Sequence, residues 1–158
     1  MILAVIDTST QFAGVGVMDH AGKRVTRNWG SDQNHGRELM PKLAETLAEL
    51  SLGPTDIIHI AVALGPGGFS ALRVGISAAK GLVLVAKKPI IGVGTLDLEA
   101  HPYIGSGAPV CALLEAGREE FATALFGPDG ARIREDRVSN AGDLMAEIEV
   151  KISGPAIF

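Results

Sequence analysis

The sequence predicts an α/β fold: a mixed five-stranded sheet with helices packed on it, followed by a similar, shortened second lobe. Three observations carry this prediction. Residues 2–6 and 57–64 are short, continuous apolar runs of the kind found in central strands. Leu39, Leu43 and Leu47, and then Phe69, Leu72, Ile76, Ala79 and Val83, recur at helical spacing between the strand signals. The second half also restarts the first. Ala4-Val5-Ile6-Asp7 and Ala112-Leu113-Leu114-Glu115 each end a strand in an acid, and Phe12 and Phe121 each begin the return strand. The repeat implies two like-shaped halves, each presenting an acidic hairpin turn to a shared cleft.

Taken in order, residues 2–6 form the first strand, and Asp7-Thr8-Ser9-Thr10 supplies turn chemistry. Residues 12–18 return as a hairpin, with Ala13, Val15 and Val17 alternating against Gly14 and Gly16. Residues 24–29 give a more polar third strand. A helix runs from His35 to Leu50, and Gly53-Pro54 stops it. Residues 56–64 are the fourth strand and residues 89–93 the fifth, with a long helix from Phe69 between them. Thr95 is expected to cap a short helix that Pro102 ends. Gly105-Ser106-Gly107 reads as a joint, which places a first domain at residues 1–104 and a second at 105–158. Beyond it come strands at 109–114, 121–126 and 132–138, a polar turn at 115–120, a helix at 141–150 capped by Asn140, and the start of another strand in residues 152–158.

Composition excludes several classes. A formal charge of -4 argues against a protein that grips nucleic acid through its own phosphate contacts. The single cysteine, Cys111, has no internal partner, and the absence of a leader-like start fits a reducing cytoplasm. The most apolar stretch, residues 81–86, is too short to span a bilayer.

The stretch Gly65-Pro66-Gly67-Gly68-Phe69 joins the fourth strand to the long helix. Its glycines permit close backbone approach, which serves either a tight structural turn or direct phosphate contact at a helix N-terminus. Neither a Walker A loop nor the dinucleotide fingerprint is present. Asp7, Thr8 and Ser9 admit two readings as well: a metal-bound phosphate site, or a turn that closes a hairpin. No His pair at helical spacing, no Lys-Thr-Gly after Ser77-Ala78-Ala79-Lys80 and no catalytic triad can be assembled, so no catalytic or metal-ligating residue is assigned.

The helix from Phe69 has a second apolar face made of Ala71, Gly75, Ala78, Leu82 and Val85. Small residues there would let another helix approach. Ala71, Gly75, Ala78 and Leu82, with Leu39, Leu43 and Leu47 of the preceding helix, are the expected partner interface.

Three stretches together, Ile6-Asp7-Thr8-Ser9, His35-Gly36-Arg37-Glu38-Leu39-Met40-Pro41 and Gly65-Pro66-Gly67-Gly68-Phe69-Ser70-Ala71-Leu72-Arg73-Val74-Gly75-Ile76, resemble the TsaB (YeaZ) family. The family hallmark, close to Gly-Pro-Gly-Ser-Phe-Thr-Gly-Leu-Arg-Ile-Gly, differs here at Gly68, Ser70, Ala71 and Val74. Glu115 and Glu119 stand where the family usually has Asp and Gly, and family members usually run further than residue 158. The resemblance implies an actin-like, Hsp70-like ATPase (ribonuclease H-like) fold in two lobes. It implies a non-catalytic scaffold subunit that pairs with a TsaD-like transferase, or with a second copy, through the first two helices. That machinery forms N6-threonylcarbamoyladenosine at position 37 of tRNAs decoding ANN codons. A TsaE-like ATPase joins it, and tRNA is reached only indirectly. No cofactor is required on this reading. ATP or ADP with Mg at a partner-dependent site would use Asp7, Thr8, Ser9, Gly65, Gly67 and Gly68. The alternative is an ATP-dependent small-molecule kinase or ATPase of the same superfamily.

Overall fold

The computed structural model describes residues 1–32, 34–152 and 156–158. It divides into two compact units, Met1–Val93 and Gly94–Phe158.

The first unit is built on β1 (Leu3–Asp7), β2 (Phe12–Met18), β3 (Arg24–Gly30), α1 (His35–Glu49), β4 (His59–Ala63), α2 (Phe69–Ala86) and β5 (Ile90–Val93). The strands form one sheet in the order β3-β2-β1-β4-β5. Hairpins make β1, β2 and β3 antiparallel, while β4 and β5 run parallel to β1 because a helix precedes each. Strand side chains alternate between faces. Ala4, Ile6, Val15, Val17, Ile60 and Val62 therefore share one face, where they form a core with Leu39, Leu43 and Leu47 of α1 and Ala79 of α2.

β4 begins later than residue 56, because Pro54–Asp56 forms a 3-10 turn instead, closed by the Gly53 N–H donating to Asp56 Oδ2 at 2.8 Å. A proline with fixed φ suits the first position of such a turn.

The second unit comprises α3 (Thr95–Ala100), β6 (Val110–Gly117), β7 (Glu120–Phe126), β8 (Arg132–Asn140) and α4 (Ala141–Lys151). Its antiparallel sheet has the order β6-β7-β8. The division between units falls after Val93, not at Gly105. The physical reason is hydrophobic: Leu96 and Ala100 of α3 bury against Val110, Ala112, Ala124 and Phe126 of the second sheet. Thr95 is not the cap of α3 either. Gly94 occupies the N-cap position, and Thr95 is the first helical residue, buried, with no hydrogen bond to its Oγ1.

Asn140 does cap α4, its side-chain oxygen accepting from Asp143 N at 2.9 Å. The polar turn between β6 and β7 contracts to Arg118 and Glu119, both with positive φ (57° and 61°). Glu115 consequently lies inside β6.

The repeat read from the sequence has a topological counterpart. Each unit runs through three antiparallel strands into a helix, and then back to a segment parallel to its first strand: β4 beside β1, and Ile157 bridged to Val110. Cys111 N donates to Ile157 O at 2.7 Å, and Ile157 N donates to Pro109 O at 2.9 Å. Residues 153–155 of the expected terminal strand lie outside the described residues.

The two acids are not equivalent within that repeat. Asp7 alternates with Leu3 and Val5, on the pleat turned away from α1, whereas Glu115 alternates with Cys111, on the pleat that packs under α4. A one-residue slip in the matched segments moves a side chain to the other face. The expected pair of like-placed acidic turns is therefore corrected.

Candidate functional site

Two places in the first unit gather the residues singled out by the sequence: the junction of β1 with α2, and the layer formed by α1 and α2.

At the junction, Asp7 Oδ1 accepts from both Ser9 N (2.8 Å) and Ser9 Oγ (2.6 Å), an Asx turn that ends β1. Thr8 and Ser9 are buried. Thr8 Oγ1 donates to the Ala71 carbonyl in the first turn of α2 at 2.7 Å. Gly68 N donates to the Ser9 carbonyl at 3.0 Å. Both hydroxyls and one N–H at the mouth of α2 are thus engaged inside the protein.

Gly67 is required by this closeness, since a Cβ there would overlap the Ser9 carbonyl. Gly65 adopts φ +107°, a conformation that L side chains rarely adopt. The structure brings together Asp7, Thr8, Ser9, Gly67 and Gly68 as one hydrogen-bonded joint, with Gly65 leading into it. His35 adjoins it, its Nε2 lying 3.3 Å from Thr10 O.

In the helical layer, several expected interface residues face the wrong way. Leu39, Leu43 and Leu47 are each 1% exposed, because the apolar stripe of α1 is consumed by its own sheet. Gly75 is buried, and a Cβ on it would meet Thr8 Oγ1 and Ile6, both of β1 or its turn. The small residue serves helix-on-sheet contact within the unit. Ala78 and Leu82 are half-buried against the same core, and Ala71 is half-buried. The side chain of Val85 lies outside the described residues.

What α1 and α2 turn outward is different. On α2, Arg73, Ser77, Lys80 and Leu84 form one exposed line, with Leu84 79% exposed and Phe69, at the start of the helix, 74% exposed. On α1 the corresponding line is Met40, Ala44 and Ala48. Leu84 belongs to neither of the two apolar faces that the helical spacing defines on α2.

Polar contacts fix α1 against β3. Trp29 Nε1 donates to Glu38 Oε2 at 2.8 Å, Ser31 Oγ donates to the same oxygen at 2.7 Å, and the Lys42 ammonium sits 5.0 Å from the Trp29 ring centroid. Hydrogen bonds from Ser31 and then Trp29 hold the Glu38 carboxyl below the usual carboxylate range. Arg27 of β3 pairs with Glu49 at 3.2 Å.

The second unit has an open depression at the start of α4, lined by Glu115, Arg118, Glu119, Phe121, Asn140 and Gly142 among others. Burial pushes the Cys111 thiol up, so that it behaves as packing under α4. Among the described residues no group of three or more His, Cys, Asp or Glu side chains could hold a metal ion, and no helix is long and apolar enough to cross a membrane.

Comparison with known proteins follows the same lines. Residues 30–157 match the family model described as TsaD: tRNA N6-adenosine threonylcarbamoyltransferase. A tRNA N6-adenosine threonylcarbamoyltransferase of Anaeromyxobacter dehalogenans (strain 2CP-1) is 39% identical over 98 residues, which cover 51% of this chain and 29% of the relative. The tRNA threonylcarbamoyladenosine biosynthesis protein TsaB of Haemophilus influenzae is 31% identical over 101 residues, covering 64% of this chain and 42% of the relative. The chain thus spans less than half the length of these curated relatives. Among solved structures, YeaZ from Pseudomonas aeruginosa superimposes with a TM-score of 0.79 at 22% identity, over 87% of this chain and 66% of that one. The fold is the actin-like, ribonuclease H-like ATPase fold.

Proposed function

The chain belongs to the family of the TsaD model, with TsaB (YeaZ) relatives, and on that premise we propose that it is a non-catalytic subunit in threonylcarbamoyladenosine formation on tRNA. In this reading it pairs with a TsaD-like transferase that modifies position 37 of tRNAs decoding ANN codons. A TsaE-like ATPase joins the assembly, a second copy substitutes for the transferase in isolation, and tRNA is contacted only through the partner.

The observation that carries the reading is the outward face of the α1–α2 layer. Leu84, Met40, Ala44 and Ala48 are exposed on two neighbouring helices whose other faces are already used by their own sheet. Small and apolar side chains displayed together let a second pair of helices approach closely. The interface is therefore assigned to these residues, with Ala71, Ala78 and Leu82 at its inner margin. The joint at Asp7 supports a non-catalytic role, since Thr8 and Ser9 donate their hydroxyls inward and have none to offer a phosphate. ATP or ADP with Mg would meet the Asp7 carboxylate only at a site that a partner completes.

Leu84→Asp tests the reading. Pull-down of a TsaD-like protein by this variant is expected to fall at least about tenfold, the size of effect that loss of an apolar anchor produces, while the melting temperature stays unchanged. Undiminished capture would refute the assignment. Binding of ATP to the isolated chain at micromolar affinity would instead favour a kinase or ATPase using Asp7.

A further inference from the structure

The chain carries a net charge of -4, yet no Asp or Glu occurs in residues 57–96, a stretch that holds Arg73, Lys80, Lys87 and Lys88. Arg73 and Lys80 stand two turns apart on α2 and share its outward line with Ser77 and Leu84, all four exposed. The outward line of α1 has the same sign, because Arg37 is exposed there beside Met40 and Ala44. The acids of α1 are turned elsewhere. Glu38 accepts from Trp29 and Ser31, while Glu45 and Glu49 lie 3.8 and 3.2 Å from Arg27 of β3. Among the described residues, Arg37, Arg73 and Lys80 form no ion pair. The face around Leu84 is therefore apolar in its middle and positive wherever it is charged.

That distribution of charge bears on which chain the face accepts. Two copies paired about a two-fold axis present the same patch to each other. Whichever helix of one copy meets whichever helix of the other, cations then face cations with no carboxylate between them. Like charges brought together across an interface cost affinity, and opposite charges there favour one partner over another. The apolar part does not discriminate, since Leu84, Met40 and Ala44 suit a second copy and a foreign helix equally well.

We infer, resting on the reading of the outward α1–α2 face as an interface, that Arg37, Arg73 and Lys80 select its occupant: a different chain whose helices carry Asp or Glu opposite these cations, in preference to a second copy. The two kinds of pairing then respond to salt in opposite directions. Screening removes the repulsion between two copies and strengthens their association, whereas it removes the attraction to an acidic partner and weakens it.

The test supplies the acids on the chain itself. A variant with both Arg73→Glu and Lys80→Glu reverses two exposed charges and is expected to keep the wild-type melting temperature. Analytical ultracentrifugation then compares the wild type alone with an equal mixture of wild type and variant, at about 0.1 M and about 1 M salt, where the screening length falls from about 10 Å to about 3 Å. In the lower salt the mixed dimer is expected to be at least about tenfold tighter than the wild-type dimer, one decade in Kd, and in the higher salt the two converge. A mixed dimer no tighter than the wild-type one, no mixed dimer at all, or a wild-type dimer that salt weakens would each overturn the inference. Leu84→Asp, placed in both chains, keeps the two readings apart. If it abolishes pairing while charge reversal leaves the affinities unchanged, the interface stands and the selection by charge falls. If the mixed dimer survives Leu84→Asp, the face itself is wrongly assigned and the selection falls with it.

Discussion

Gly75 of α2 lies directly over Thr8: a Cβ on the glycine would fall on Thr8 Oγ1, the atom that donates to the Ala71 carbonyl at 2.7 Å. Gly75→Leu therefore forces α2 off β1 and breaks a buried hydrogen bond. Overpacking of this kind costs about 1–3 kcal/mol, so urea denaturation should show a lower midpoint. Unchanged stability, with loss of partner binding alone, would return Gly75 to the interface.

Gly67→Ala meets the Ser9 carbonyl, which cannot retreat without opening the bond to Gly68 N. Amide exchange is expected to accelerate at Gly68 and at the first turn of α2. Exchange as slow as in the wild type would show that the loop tolerates a side chain.

Leu43 is 1% exposed in the core of the first unit. Leu43→Ala should destabilise that unit by about 2–5 kcal/mol through cavity formation, measured by chemical denaturation. A loss below about 1 kcal/mol would place the residue at the surface.

Trp29 is the single tryptophan, and its indole donates to Glu38. The folded-state pKa of Glu38 is depressed, chiefly by Ser31 and Trp29. Its contribution to stability is therefore present above the ordinary carboxylate range and lost as pH falls through the depressed folded value. Tryptophan emission should titrate on the acid side of the ordinary Glu range. In Glu38→Gln that transition should vanish, and a transition of unchanged position would assign it elsewhere.

Glu147 of α4 gathers Arg134 at 3.1 Å, Lys151 at 3.0 Å and Arg137 at 3.4 Å, and the Arg134 side chain is only 9% exposed. Burial raises its pKa, but the Lys151 hydrogen bond and the arginine charges outweigh this and hold it below the usual range. Glu147→Leu leaves the guanidinium of Arg134 without its carboxylate. Breaking a buried pair in this way costs about 3–5 kcal/mol, read as a fall in melting temperature. Recovery in the double variant with Arg134→Met would confirm the pairing, and an unaltered single variant would dismiss it.

Much of this architecture was legible in the chain. The hairpin at β1–β2, the leucine period of α1 and the Asn140 cap are local signals, and each element forms where its residues indicate. The orientation of α2 was not legible, because a helix with small residues on one side suits either a neighbouring helix or its own sheet, and only the position of Thr8 decides between them. The domain boundary failed for a similar reason. Gly105-Ser106-Gly107 looks like a joint locally, yet Leu96 and Ala100 find their apolar partners further along the chain. At the candidate site, the composition Asp-Thr-Ser signalled a turn that can bind phosphate or close on itself. The choice depended on where the carbonyls of Ser9 and Ala71 lie, which no local pattern contains.

The hydrogen bonds from Thr8 to Ala71 and from Gly68 to Ser9 fasten the first turn of α2 to the end of β1 at two points. Drawing the helix away from the strand end requires both to break, and each would leave a polar group that the fold at present satisfies.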